Sequence, residues 1–422
     1  MTIHWFWIAS LSKRKTLILP ALASAARSAV GHLGSKTAGP ASAATYGTHL
    51  TPGEFAPPVF ISGLQPSAAR ASGGRRIRIG MRTEKQTRAM MSAIHLNIAL
   101  PTLFLLATSG AIAAQSANAP KLGVKGVQVP FASLKPSTTL KIGGTADWVL
   151  VTDDAVWVAG TKPYSVLHID PVTNRIVAKV ALPGEACSGL AFGFGSVWVP
   201  VCGKKPTLIR VDAQKNAVIA TLPVPAVEAE GGIATSTDSV WLVTDKKGTL
   251  NRIDPSTNSV RQKIPIPPGS YNPVFSDGVV WITGVERSVL TAVDAATGRV
   301  LDSVPVGAKP RFLTAGGGSI WTLNQSDGSV TRVDEKSRKV LASIQVGIAG
   351  TGGDLGYGAD SVWLSVFDVP VTRLDATTNR VVKQWIGKGG DSLRFGFDSL
   401  WITDYKKGLL FRIPESQVLI SD

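Results

Sequence analysis

The chain is poor in the residues that carry most metal and redox chemistry. Among 422 residues there are 2 cysteines, 5 histidines, 4 methionines and 5 tyrosines. Neither a Cys-x-x-Cys pair nor a Cys/His cluster with metal-ligand spacing is present, which excludes zinc ribbons, zinc fingers and thioredoxin-like chemistry. No cysteine precedes Cys187, so lipid attachment near the start of a mature chain is excluded. Beyond residue 114 one histidine remains, His168. Long hydrophobic runs are missing too. The most apolar stretch, from Ile94 to Ala107, is interrupted by Asn97 and Pro101 and falls short of the roughly 20 residues that span a bilayer.

Acidic residues are scarce in one region only. The formal net charge is +15, but residues 1–114 hold 12 Lys and Arg against Glu54 and Glu84, while the remainder holds 32 against 27 acids. Two-thirds of the basic excess therefore sits in the leader. The body is too mildly basic to give the electrostatic footprint of a nucleic-acid binder, and no nucleic-acid partner is expected.

Residues 1–80 are rich in Ala, Ser, Gly and Arg and follow neither a helical nor an alternating apolar period. A basic segment, Met81 to Arg88, precedes the apolar run, and Ser109-Gly110-Ala111-Ile112-Ala113-Ala114 follows it. That order is the layout of a secretory signal over residues 81–114, with cleavage expected after Ala113 or Ala114. Translation is expected to start at Met81, Met90 or Met91, with residues 1–80 an upstream extension or a disordered tail. The expected fate is export to the periplasm or the medium, with no membrane span left after signal removal.

What the body has in abundance is a repeat. One phrase returns seven times: Ala155-Val-Trp157, Ser196-Val-Trp198, Ser239-Val-Trp241, Val279-Val-Trp281, Ser319-Ile-Trp321, Ser361-Val-Trp363 and Ser399-Leu-Trp401. The Trp spacings are 41, 43, 40, 40, 42 and 38. A second phrase follows the first six, opening on Asp170, Asp212, Asp254, Asp294, Asp334 and Asp375, as in Ile169-Asp-Pro-Val-Thr-Asn-Arg175. Periods near forty with several short strands each predict an all-β, seven-bladed β-propeller of four-stranded blades over residues 138–422. The seven Trp are expected in the core between blades. The turn Asp and Asn residues are expected to cap a hairpin, because their side chains bond nearby backbone and tolerate left-handed geometry.

The seventh unit lacks a clear fourth strand after Ile413, whereas Thr138-Thr-Leu-Lys-Ile142-Gly-Gly matches the fourth strand of unit six. The N-terminal strand is therefore expected to complete the last blade and close the ring, removing an open sheet edge. Residues 115–137 are expected to run along the outside. If the turn after the first strand of unit two is Phe194-Gly195, Cys187 and Cys202 face each other across a hairpin, and an exported protein would join them in a disulfide.

The Asp-x-x-Thr-Asn-x-Val phrase resembles the YVTN-repeat propellers, which are exported or surface-associated and mostly without assigned catalysis. The Ser-Val-Trp and x-x-Arg-(Ile/Val) phrases are similar to the streptogramin B lyases, seven-bladed enzymes that open a cyclic depsipeptide by metal-assisted elimination. Both resemblances cover the chain from Thr138 onward. The lyase resemblance implies catalytic histidines where the first strand of a blade begins, and His168 is not there. It occupies the third-strand slot held by Arg210, Arg252, Arg332, Arg373 and Arg412, with Ala292 as the other exception. Its expected role is structural.

Positions that differ between blades at one structural slot are better functional candidates. About ten residues before each Trp stand Asp147, Cys187, Glu230, Tyr271-Asn272, Arg311, Asp354 and Asp391. In a propeller these ring the mouth of the central channel, with the loops Lys204-Lys205, Asp245-Lys246-Lys247, Glu286-Arg287, Asp327 and Asp404 to Lys407 on the same face. The bland alternative is a solvated rim. The functional one is a site for a small molecule or a protein partner in a monomeric, non-catalytic protein needing no cofactor. A divalent cation, Mg or Ca, would use the oxygens of Glu230, Asp354 and Asp391. Such a cation would belong to the alternative reading, a metal-assisted lyase or lactonase.

Overall fold

Six consecutive apolar or small residues, as in Val156–Thr161 and Ser196–Val201, can all be buried only in a sheet covered on both faces. Every residue of those two strands is buried. The computed structural model describes residues 123–419; the expected signal and the segment before it lie outside them. Seven small antiparallel sheets form a ring, a seven-bladed β-propeller. Blade 1 runs from the axis outward as strand A (Thr145–Val151), B (Val156–Thr161), C (Ser165–Asp170) and D (Arg175–Ala181). Blades 2 to 6 repeat that order. In blade 7 the A, B and C strands are Leu393–Gly396, Ser399–Asp404 and Leu409–Pro414, and the D strand is Thr138–Lys141.

That last pairing closes the ring, with Thr138 opposite Arg412 and Lys141 opposite Leu409. Within the segment before it, Gln128–Pro130 lies parallel to the D strand of blade 6 as a fifth strand. Its N-terminal flank is pinned where Gly123 N–H donates to Gly347 O at 2.6 Å.

The repeated Trp are fully buried, and each packs onto the next blade. Trp198 meets Val240, Leu242 and Ile253; Trp363 meets Leu400, Ile402 and Ile413; Trp401 crosses the closure to Val156, Val158 and Leu167. The Asp turns behave as their chemistry requires. Asp170, Asp212, Asp254, Asp294, Asp334 and Asp375 each accept a backbone N–H two or three residues on, at 2.7–2.8 Å. The residue four after each Asp has positive φ, from 51° at Asn258 to 75° at Gly298.

A side-chain latch also joins the blades. Arg412 Nε donates to Ser399 Oγ at 2.9 Å, and its Nη1 reaches the turn of blade 1, donating to Pro171 O and to Asn174 Oδ1 at 2.8 Å. The guanidinium lies 5.0 Å from the Trp401 ring. Arg210 and Arg332 do the same toward Asn258 and Asn379. All five arginines of this slot donate Nε to the serine of the Ser-x-Trp phrase. The two blades without that serine, at Ala155 and Val279, are those without the arginine. His168 stacks on Trp157 at 4.3 Å and its Nδ1 bonds Asn216 Oδ1 at 2.7 Å, so it is blade 1's version of the latch.

Arg412→Ala removes charge-assisted hydrogen bonds worth about 2 kcal/mol together, and its urea midpoint should fall accordingly. Ala292→Arg should give no gain. The turn it would reach carries Arg338, not Asn, at the left-handed position.

Cys187 and Cys202 form the expected disulfide. The turn is Phe194-Gly195, and the register from Gly193 opposite Ser196 to Ala191 opposite Trp198 is the expected one. Further along it shifts: Ala186 pairs with Val201, so two extra residues bulge out of strand A. Cys202 N–H donates to Glu185 O and Cys187 N–H to Pro200 O. The sulfurs therefore bridge a diagonal rather than a directly opposed pair, at a Cα separation of 5.7 Å.

Candidate functional site

The bulge in blade 2 recurs near the start of strand A. The A–B register slips between Ala146 and Val149 in blade 1, Ser270 and Pro273 in blade 4, and Pro310 and Phe312 in blade 5. An extra residue bends a strand and re-aims its side chains. Here it does so at the positions expected to ring the channel mouth.

The structure brings those residues within electrostatic reach of one another. Asp147, Asp354 and Asp391 are buried, as is Tyr271; Glu230 and Arg311 are half-buried. Asp391 accepts the Gly353 N–H at 3.1 Å, and its carboxyl and that of Asp147 act on each other electrostatically. Burial first, then the charges of Asp391, Glu230 and Glu185, hold Asp147 well above the usual range. Burial likewise pushes Asp391 up to about 7 against the opposing Gly353 bond, with Glu230 and Asp354 adding to it. Burial raises Glu230 as well, although Arg311 offsets part of the effect.

Glu230 has φ +63°, rare for a non-glycine residue, and its N–H donates to Cys187 O at 2.7 Å. Arg311 stacks over the Tyr271 ring at 4.3 Å and donates to its hydroxyl at 2.7 Å. The Tyr271 hydroxyl in turn donates to Ala229 O. Asp354 accepts Ser392 Oγ at 2.6 Å and pairs with Arg394.

Three of these participants were not among the expected ring: Glu185, Ser392 and Arg394. Glu185 lies in the connection before strand A of blade 2, where its offset from the Trp gave no signal. Tyr405 was expected only as a loop residue on this face. Burial, then Asp147, Glu185, Asp391 and Glu230, raise its phenol. Cys187 is taken up by the disulfide and adds no polar side chain to the ring.

Below the mouth lies the axial channel. A cavity of about 210 Å³ there is lined from all seven blades, including Trp148, Gly189, Gly232, Asn272, Phe312, Asp354 and Arg394. Trp148 of blade 1 reaches Phe312 of blade 5, ring centroids 6.2 Å apart, across the axis. Asn272 Nδ2 donates to Arg311 O at 2.7 Å. A cavity of about 380 Å³ opens beside the A–B turn of blade 1, between Leu150, Phe192, Thr235 and Phe275.

Among the described residues no three His, Cys, Asp or Glu side chains are grouped so as to hold a metal ion. Glu230, Asp354 and Asp391 thus share one mouth without forming a ligand set, and Asp354 is already engaged by Ser392 and Arg394. No helix among the described residues is long and apolar enough to cross a membrane.

The raised carboxyls give the stability a pH signature. A group protonated in the folded state but ionised when unfolded stabilises below its unfolded pKa, and that contribution is lost as pH rises through the folded value. Stability should therefore decline from about pH 4 to about pH 7, by about 1.4 kcal/mol per pH unit for each proton retained. The turn carboxyls act in the opposite sense. Hydrogen bonds from their own turns lower them, so their contribution appears above about pH 4 and is lost in acid. Urea midpoints across this range should fall in the wild type and fall less in Asp391→Asn.

In fold the chain is similar to the crystal structure of BamB from Moraxella catarrhalis, with a TM-score of 0.51 and 14% sequence identity, covering 67% of this chain and 97% of that one. At that identity the likeness is one of architecture. No protein-family model matches the sequence, and no curated protein matches it.

Proposed function

We propose that this chain is an exported, non-catalytic propeller that holds a ligand or a protein partner at the acidic mouth of its axial channel. One observation carries the reading. The framework slots are nearly uniform from blade to blade, whereas the first positions of strand A diverge into acids, a Tyr and an Arg that meet at one end of the channel. Divergence at a repeated slot, with convergence in space, is what a binding site on a repeat scaffold requires.

Two further points support it. His168 is latched to Asn216 beside Trp157, far in the blade from the slot where a lyase of this architecture would keep its histidines. The disulfide suits an oxidising compartment, in keeping with the signal read in residues 81–114. The YVTN-like phrases, which belong to exported propellers without assigned catalysis, agree with both.

The test is retention. Native mass spectrometry and cross-linking of protein recovered from the cell envelope should show a bound species or partner with the wild type. Glu230→Ala plus Asp391→Ala should lose it, while Asp302→Ala on the outer strand of blade 4 should keep it. Turnover of a lactone or depsipeptide by the wild type, abolished in the double variant, would overturn the non-catalytic reading.

A further inference from the structure

Folding leaves two polar atoms without partners in the walls of the axial cavity. Trp148 is 3% exposed, and its indole Nε1–H donates to nothing. Asn272 is also 3% exposed; its Nδ2 is engaged by Arg311 O, but its Oδ1 accepts nothing. Both residues line the cavity. A buried donor or acceptor left unmatched is costly, and native structures rarely tolerate one unless a ligand or ordered water meets it. Gly232 makes room for the amide: a Cβ there would stand 2.9 Å from Asn272 Oδ1.

The mouth lies one residue above this wall on the same strands. Asp147 precedes Trp148, Tyr271 precedes Asn272, and Arg311 precedes Phe312. Five acids, Asp147, Glu185, Glu230, Asp354 and Asp391, stand there against two bases, Arg311 and Arg394. Arg394 pairs with Asp354, and Arg311 is tied to Tyr271 and Ala229 O. Even with the raised Asp147 carboxyl left uncharged, the remaining acids outnumber the bases and the excess is negative. An anionic ligand would be repelled, and a cation would be drawn in. At about 210 Å³ the cavity is below the ~300 Å³ lower end of drug-sized pockets, so the ligand is compact.

We infer that the axial channel takes a small organic ammonium ion carrying an amide-like group. Its ammonium sits among the acids of the mouth, its carbonyl accepts from Trp148 Nε1, and its N–H donates to Asn272 Oδ1. This rests on the binding reading above and gives that site its ligand class. The same chemistry is offered by a free amino amide and by the N-terminal residue of a peptide, and the cavity's size favours the former.

The experiment is a titration of the full-length protein with glycinamide, read at the Trp148 indole N–H by two-dimensional proton–nitrogen NMR. Trp148→Phe identifies the signal while keeping a ring against Phe312. A saturable shift is expected, with affinity about tenfold weaker in Trp148→Phe by calorimetry, the loss of one buried hydrogen bond. Glu230→Gln should weaken glycinamide by a similar factor. Acetamide, which lacks the charge, should bind at least tenfold more weakly, and acetate should not bind.

No saturable shift, or equal binding of glycinamide, acetamide and acetate, would overturn the inference. Tighter binding of glycyl-glycinamide than glycinamide would assign the site to peptide N-termini and overturn the free-ligand choice. If Trp148→Phe fails to fold, the Glu230→Gln comparison decides alone. If glycinamide fails while Glu230→Ala plus Asp391→Ala still loses a bound species or partner, the inference falls and the binding reading stands; if neither effect appears, both fall.

Discussion

Trp401→Ala should destabilise the protein by about 3–5 kcal/mol, a large share of the roughly 5–15 kcal/mol that holds a typical domain folded. Trp401 is fully buried and fills the junction between the last blade and the first, against Ile142, Val158, Leu167 and Ile169. Alanine would leave a cavity there. It would also strip the Arg412 guanidinium of the ring 5.0 Å beneath it and remove the indole bond to Gly396 O at 3.2 Å. The guanidinium denaturation midpoint should fall far more than for Val172→Ala, a turn residue that is 85% exposed. Equal midpoints for the two variants would mean that the repeat Trp is not what binds blade to blade.

The second large effect concerns the disulfide. Cys187→Ser plus Cys202→Ser should cost about 3 kcal/mol, the loop-closure contribution expected for a sequence separation of 15. The effect should not stop at stability. Cys187 O holds the N–H of Glu230, whose left-handed backbone needs outside support. Opening the bridge loosens that support, so amide exchange should quicken in residues 226–232 more than in the matching segment of blade 5. Uniform quickening across all blades would show that the bridge stabilises only globally.

Architecture was legible because a propeller repeats its physics. Each blade needs a flat residue to cover the next, a tight C–D turn and a strand buried on both faces, so Trp, Asp-x-x-x-Asn and β-branched runs recur at a fixed period. The pairing of Ser with Arg was visible too: Ala155 goes with His168, and Val279 with Ala292. Only the latch explains why they change together. The ring of candidates at the start of strand A was likewise readable from its variability. What stayed hidden needed three dimensions. Glu185 and Arg394 reach the same acids from different offsets, and Trp148, outside the Trp period, crosses the axis to Phe312. The cysteine register failed in part because bulges have no period. They answer to the channel's curvature, and a two-residue excess between Ala186 and Ala191 turned an opposed pair into a diagonal one.

The closing strand also sets a timetable. Thr138 pairs with Arg412, and Ser137 Oγ meets Arg412 O across 275 residues of sequence. Chains emerge N-terminus first, so Thr138–Lys141 leaves the ribosome early and has no partner until nearly all the rest has been made. Blades 1 to 6 pair their own consecutive strands and can assemble in order, whereas the circle is completed by the contact of highest sequence separation, which polymer entropy makes the slowest to find. Until then two unpaired strand edges stay open to other chains. The vulnerable interval in the life of this protein is thus the wait before its ends meet, and whatever shields Thr138–Lys141 during that wait governs the yield of folded molecules.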